Sequence, residues 1–145
     1  MNLQSDIRHI IDYFKGRDEV SALYIFGSAA NSKETTESDI DIAVLINDHK
    51  KGRKTYDSLK KTYYAASPKL SIRPVDIVIL NTASPFLKHR IIKTGKVLFD
   101  RNRRVRVRFT ANAIIEYLDY KPIEDICLKA VAGRFREVAV GSRKI

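Results

Sequence analysis

Apolar positions along the chain switch between a helical and an extended period, and the switches divide it into elements. Ile7, Ile10, Ile11 and Phe14 recur at helical spacing, with Ser5 as a candidate N-cap and Gly16 near the stop. Val20 to Phe26 (VSALYIF) reads as a buried strand, and Asp39 to Ile46 (DIDIAVLI) as a second one rich in β-branched residues. The polar stretch Ser28 to Ser38 between them reads as a short helical turn and a loop. Asn47 to Gly52 reads as a turn, and Arg53 to Ala66 as a helix that Pro68 ends. Val75 to Leu80 is a third strand. Ser84 caps a helix that starts at Pro85 and runs to Thr94, Gly95 closes it, and Lys96 to Phe99 forms a short fourth strand.

Past Arg108 the pattern is helical again. Ala111 to Tyr120 and Ile123 to Val138 read as two amphipathic stretches broken at Lys121-Pro122. The organisation expected is an α/β domain over residues 1–100, then a basic connector and helical extension over 101–145. Ile114, Ile115, Leu118, Ile123, Ile126 and Val131 supply an apolar stripe on that extension, with packing into the protein's own core favoured over a partner surface. Cys127 follows at core-like spacing, and Tyr117 and Tyr120 read as packing residues.

Composition narrows the class. An apolar fraction of 44% fits a folded domain. A single cysteine excludes an internal disulfide and an all-cysteine zinc site. No run of 18 apolar residues occurs, and the N-terminus lacks a signal-peptide core, so a cytoplasmic protein is expected. His9 and His89 lack metal-like spacing, and His49 sits in a turn. The net charge is +10, of which the last 45 residues carry +6, concentrated in RNRRVRVR from Arg101 to Arg108. Such a run either attracts a polyanion or forms a solvated edge. No aromatic-basic pattern of an RNA-reading sheet accompanies it, which disfavours nucleic-acid readout.

The chemistry centres on three acids. Side chains two apart on a strand share a face, so Asp39 and Asp41 project together. Neighbouring carboxylates repel unless a cation lies between them, and Mg²⁺ accepts one or two carboxylates together with substrate phosphates. A polar strand start with each acid paired to a lysine is the plainer alternative. Two features weigh against it. Gly27-Ser28 follows the first strand directly, where glycine permits a sharp turn and backbone N–H groups and a hydroxyl can receive phosphate. Asp76 is the one charge in the run Val75 to Leu80, costly there unless it meets solvent or a cation.

The pattern Gly27-Ser28, ten residues, Asp39, one residue, Asp41, with the Val75-Asp76-Ile77-Val78 strand beyond, resembles the signature of the DNA polymerase β-like nucleotidyltransferase superfamily. Its smallest members, the minimal nucleotidyltransferases (MNT or MntA antitoxins paired with HEPN-domain toxins), match best in length. The resemblance covers residues 5–100 well and the tail loosely. It implies an α/β (α+β) fold, a small mixed sheet of about four strands flanked by helices with a C-terminal helical tail. It also implies triphosphate contact for Gly27 and Ser28, ligation of two Mg²⁺ ions by Asp39 and Asp41, and a third metal-binding carboxylate in Asp76. ATP as substrate, a HEPN-type toxin as hetero-oligomeric partner and AMP transfer to a toxin tyrosine follow from the same resemblance. A small-molecule (aminoglycoside-like) acceptor, or stoichiometric inhibition without catalysis, are the alternatives. One departure stands out: members commonly carry Arg-Gly where this chain has Asn31-Ser32, and Lys33 or Arg73 are the candidates to replace the lost cation.

Overall fold

The computed structural model describes residues 3–27, 30 and 39–143, with side chains described as far as residue 134. Four strands form one mixed sheet in the order β3-β2-β1-β4. They are β1 (Val20–Phe26), β2 (Ile40–Ile46), β3 (Val75–Ile79) and β4 (Lys96–Asp100). Strand β1 pairs antiparallel with both β2 and β4, while β2 and β3 run parallel. The helices are α1 (Leu3–Lys15), α2 (Tyr56–Leu70), α3 (Pro85–Thr94) and α4 (Arg103–Arg143). The mixed α/β architecture inferred from the sequence is the one found. No described helix is long and apolar enough to cross a membrane.

The period-2 alternation of β2 sorts the molecule into two layers. Ile40, Ile42, Val44 and Ile46 face one side and pack with Ile10 and Phe14 of α1 and Leu59 and Tyr63 of α2. Ala43 and Leu45 face the other, against Ala22, Tyr24, Leu80 and Ile91, with Leu87 of α3 and Val105 and Phe109 of α4 alongside. Because Asp41 shares the parity of Ala43, it lies on the α3–α4 face. Asp76 does so by the same rule, since Val75, Ile77 and Ile79 belong to the first layer.

Several polar groups in the helical layers are individually satisfied. Phe14 and Tyr63 meet edge-to-face at 5.0 Å, and the Tyr63 hydroxyl donates to Glu19 at 2.9 Å. Arg17 completes that acid at 2.9 Å. Burial alone would push the Glu19 carboxyl up, but its backbone hydrogen bond, Tyr63 and Arg17 together hold it below its ordinary value. Burial and the adjacent Glu19 raise the Tyr63 phenol. On the edge strand, the Tyr64 hydroxyl accepts from the Ile77 N–H at 2.9 Å and occupies a position where another strand would otherwise pair. The Asn81 side-chain amide acts similarly at the end of β2, receiving the Ile46 N–H and donating to its carbonyl, each at 2.9 Å.

Several element boundaries differ from the sequence reading. Helix α1 starts at Leu3, so Ser5 lies inside it rather than capping it. Helix α2 begins after Thr55, which caps the Ser58 N–H, and runs through Pro68 instead of stopping before it. The reason is local. The Tyr64 carbonyl, which Pro68 has no N–H to meet, accepts the Ser67 hydroxyl at 2.8 Å. Leu80 leaves the third strand and opens a 3₁₀ turn. The arginine run is not a free connector but the opening of α4, and the expected break at Lys121-Pro122 is absent: one helix continues through both.

That helix is clasped to the domain along its opening turns. Asn102 caps its start through Arg104 and Val105, Lys88 of α3 meets Glu116 at 3.2 Å, and His89 stacks on Tyr117 at 3.7 Å. Within the basic run, Arg101 donates to the Val20, Lys15 and Arg17 carbonyls, and Arg106 pairs with Asp100. Arg103, Arg104 and Arg108 are exposed. The stripe expected to enter the core does not: Ile114, Ile115, Leu118, Ile123, Ile126 and Val131 are exposed, Ile126 to 67%. Cys127 is exposed as well. The helix runs past the sheet that would have covered them.

Tyr63→Phe removes a donor from the nearly buried Glu19 and is expected to cost about 1–2 kcal/mol near neutral pH. Glu19 has a depressed folded pKa, so its stabilisation is present above the ordinary carboxylate range and fades as pH falls through the depressed value. The gap in thermal midpoint between wild type and Tyr63→Phe therefore narrows in acid, measured by circular dichroism melts across pH.

Candidate active site

The three acids gather at one end of the β2–β3 pair. Asp41 and Asp76 are direct partners across the parallel ladder, and the Ile40 N–H donates to the Pro74 carbonyl at 2.9 Å to set that register. Asp39 stands one residue before β2, exposed, as Asp76 is; Asp41 is half-buried between them. Burial raises the Asp41 carboxyl above its ordinary value, and the charges of Asp76 and then Asp39 add to the rise. Three negative charges thus share one corner of the sheet, with Asp41 least able to hold its own.

Gly27 closes this corner from the other side. Phe26 pairs with Asp41 across the antiparallel ladder, so the next residue sits against the same carboxylate. Its φ of 74° lies in the left-handed region that glycine tolerates, and a Cβ there would run into the Asp41 carboxylate. The backbone conformation therefore favours glycine where the sequence has it, and any side chain there would have to displace the Asp41 carboxylate. Ser28, the other residue expected to meet phosphate, lies outside the described residues, as do Asn31, Ser32 and Lys33.

A cation that sequence reasoning did not single out lies on the same face of the sheet. Arg90 on α3 opposes the upward shift of Asp41. Its place depends on α3 folding back across the sheet, for which no local motif exists. Arg73, one of the two candidates to replace the loop cation, packs at the other side of the sheet. It lines a cavity with Ser67, Pro68 and Ser71 at the end of α2, on the other layer. A separate cleft lined by His49, Asn81, Arg108 and Asn112 lies at the far end of β2, away from the acids.

The donor set suits a divalent, oxygen-preferring cation. Among the described residues no group of three or more His, Cys, Asp or Glu side chains is placed to hold a metal ion by itself. An open corner of carboxylates is what Mg²⁺ accepts, because it retains waters and takes further oxygens from substrate phosphate. A divalent ion bound there would relieve the crowding at Asp41.

In metal-free protein, Asp41→Asn is expected to raise the melting temperature by roughly 1–3 °C near neutral pH. The sign follows from the raised folded pKa: the ionised carboxylate destabilises the fold above that value, and the penalty vanishes as pH falls through it. The advantage of the amide variant should disappear in acid, read by thermal melts in the presence of chelator. Gly27→Ala, in contrast, should lower the melting temperature and displace the Asp41 carboxylate.

No curated protein gives a significant match to the chain. Solved structures do resemble it. A chain of a toxin–antitoxin complex with AMP-PNP superposes with a TM-score of 0.73 at 23% identity, covering 87% of this chain and 98% of that one. A chain of the MntA–HepT toxin–antitoxin complex gives 0.70 at 22%, covering 89% and 98%. The complex of a tri-AMPylated Shewanella oneidensis HEPN toxin with MNT antitoxin gives the same figures. At these identities the likeness establishes the fold. The family model "Polymerase beta, Nucleotidyltransferase" matches residues 8–104, which include Gly27, Asp39, Asp41 and Asp76. The chain belongs to the polymerase β-type nucleotidyltransferase family.

Proposed function

We propose that this protein is a Mg²⁺-dependent adenylyltransferase that moves AMP from ATP onto a tyrosine of a HEPN-type toxin, acting in the cytoplasm as the toxin's antitoxin. The observation that carries the catalytic half is the pairing of Asp41 with Asp76 beside Asp39, with Gly27 packed on the same carboxylate, in a member of this family. The partner half draws support from the similarity to toxin–antitoxin complexes, one of them AMPylated. Exposed apolar side chains on α4 agree with a protein partner, since Leu118, Ile123 and Ile126 are each more than half exposed.

In this reading Asp39 and Asp41 would hold the metal, with Asp76 as the third carboxylate. Bound there, the metal supplies charge neutralisation for the triphosphate and the departing pyrophosphate. Gly27 and Ser28 offer the turn after β1 to the phosphate oxygens, the backbone approaching closely because position 27 has no side chain. The acceptor tyrosine oxygen forms a bond to the α-phosphorus as the α–β phosphoanhydride bond breaks. Asp76, the exposed member of the pair, favours loss of the hydroxyl proton. Positioning and electrostatics carry the rate, as is general for phosphoryl-group chemistry.

Co-expression with a HEPN-type partner followed by intact-mass measurement tests this. Wild type should add one or more AMP-sized increments to the partner, and the Asp39→Asn/Asp41→Asn variant none, while both keep the same fold by circular dichroism. An unmodified partner that is still inhibited by binding the wild type would instead mark a stoichiometric antitoxin. Transfer to an aminoglycoside and not to the protein would mark a small-molecule enzyme.

A further inference from the structure

The departure at Asn31-Ser32 leaves a question about charge: a triphosphate approaches three carboxylates, and the expected arginine is missing from the loop. Most described arginines that border the sheet are already committed. Arg17 is tied to Glu19, Arg101 to three backbone carbonyls and Arg106 to Asp100. Arg73 lies on the α2 side. Among the described residues Arg90 forms no comparable tie, and it is exposed.

Its position follows from the path of α3. The helix leaves the far end of β3 through the 3₁₀ turn at Leu80–Thr82 and runs back toward the end where the acids stand. It stops at Gly95, where a Cβ would come within 3.1 Å of the Ile25 carbonyl. The chain then enters β4 with Lys96 paired to Ile25, next to the Phe26 that faces Asp41. Arg90 lies five residues before Gly95, about 7 Å up the helix axis.

The faces of α3 are divided among neighbours. Leu87 and Ile91 meet the sheet, and Lys88 and His89 meet Glu116 and Tyr117 of α4. At about 100° per residue, Arg90 falls on the flank turned away from α4 but still beside the sheet-facing row. From there it stands on the same face of the sheet as Asp41 and Asp76, with no ion pair consuming its charge among the described residues.

We infer that Arg90 is the phosphate-binding cation of this site, receiving the triphosphate of the incoming nucleotide from α3 in place of an arginine in the loop after Gly27. This rests on the nucleotidyltransferase reading above. A guanidinium offers two parallel donors to phosphate oxygens, a geometry lysine reproduces only as a point charge. The nucleotide is thereby held between Gly27 on β1 and Arg90 on α3, and the position of the helix helps to set where the phosphates lie.

Calorimetric titration with AMP-PNP and Mg²⁺ tests it, with adenosine as the ligand lacking phosphate. Arg90→Ala is expected to weaken AMP-PNP binding by about 10-fold or more while adenosine binding is unchanged, and Arg90→Lys to recover part of the loss. Equal AMP-PNP affinity in wild type and Arg90→Ala would overturn the inference, as would a loss that extends equally to adenosine. Arg90-dependent AMP-PNP binding without AMP transfer to any acceptor would sustain it and sink the transferase reading alone. If wild type binds no AMP-PNP, both fall.

Discussion

Everything in this molecule hangs on the alternation of one strand. Strand β2 commits Ile40, Ile42, Val44 and Ile46 to the layer beneath α1 and α2, and each is buried to 2% exposure or less. Sliding the strand by one residue would bring Asp41 into that layer and expel those large side chains, so the register is fixed by the hydrophobic effect. The acids then have no choice of face. Asp41 must lie on the opposite side, and the parallel partner β3 carries Asp76 beside it by the same rule. An unfavourable concentration of negative charge is thus held in place by favourable burial on the other face of the same strand.

That arrangement links stability to chemistry. The fold tolerates a half-buried carboxylate with two like-charged neighbours because its core is secured elsewhere, in the Phe14–Tyr63–Glu19–Arg17 cluster and in the strand ends tied off by Tyr64 and Asn81. Gly27 contributes by omission, since any side chain there would occupy the carboxylate's space. In the proposed function the charge crowding is relieved when the cation arrives with its triphosphate. Helix α4 adds a different resource. Its first turns are part of the domain, through Val105 and Phe109, and beyond them it presents apolar side chains that the domain cannot reach.

The strands and the acids were legible because their signals are local. A period of two, a Gly-Ser at a strand end and a charge within an apolar run can be read without knowing what packs where. Proline misled in two places, since a Ser67 hydroxyl rescues the carbonyl orphaned by Pro68 and α4 simply continues through Pro122. The tail's apolar stripe also misled, because amphipathic spacing says that a face wants cover but not whether the protein supplies it. Arg90 was illegible for a third reason. Its relation to Asp41 exists only after α3 has turned back over the sheet, and no residue pattern beside it in the chain signals phosphate. The Arg101–Arg108 run divides by tertiary contact as well, with Arg101 and Arg106 structural and Arg103, Arg104 and Arg108 left to solvent.

In the proposed function one corner of the sheet, bounded by Gly27, Asp39, Asp41 and Asp76, receives metal and triphosphate together. Anomalous diffraction from crystals grown with Mn²⁺ and AMP-PNP addresses it directly. Manganese peaks are expected at the three aspartates, with the triphosphate against Gly27. Ordered AMP-PNP elsewhere on the molecule, with no manganese at these carboxylates, would contradict it.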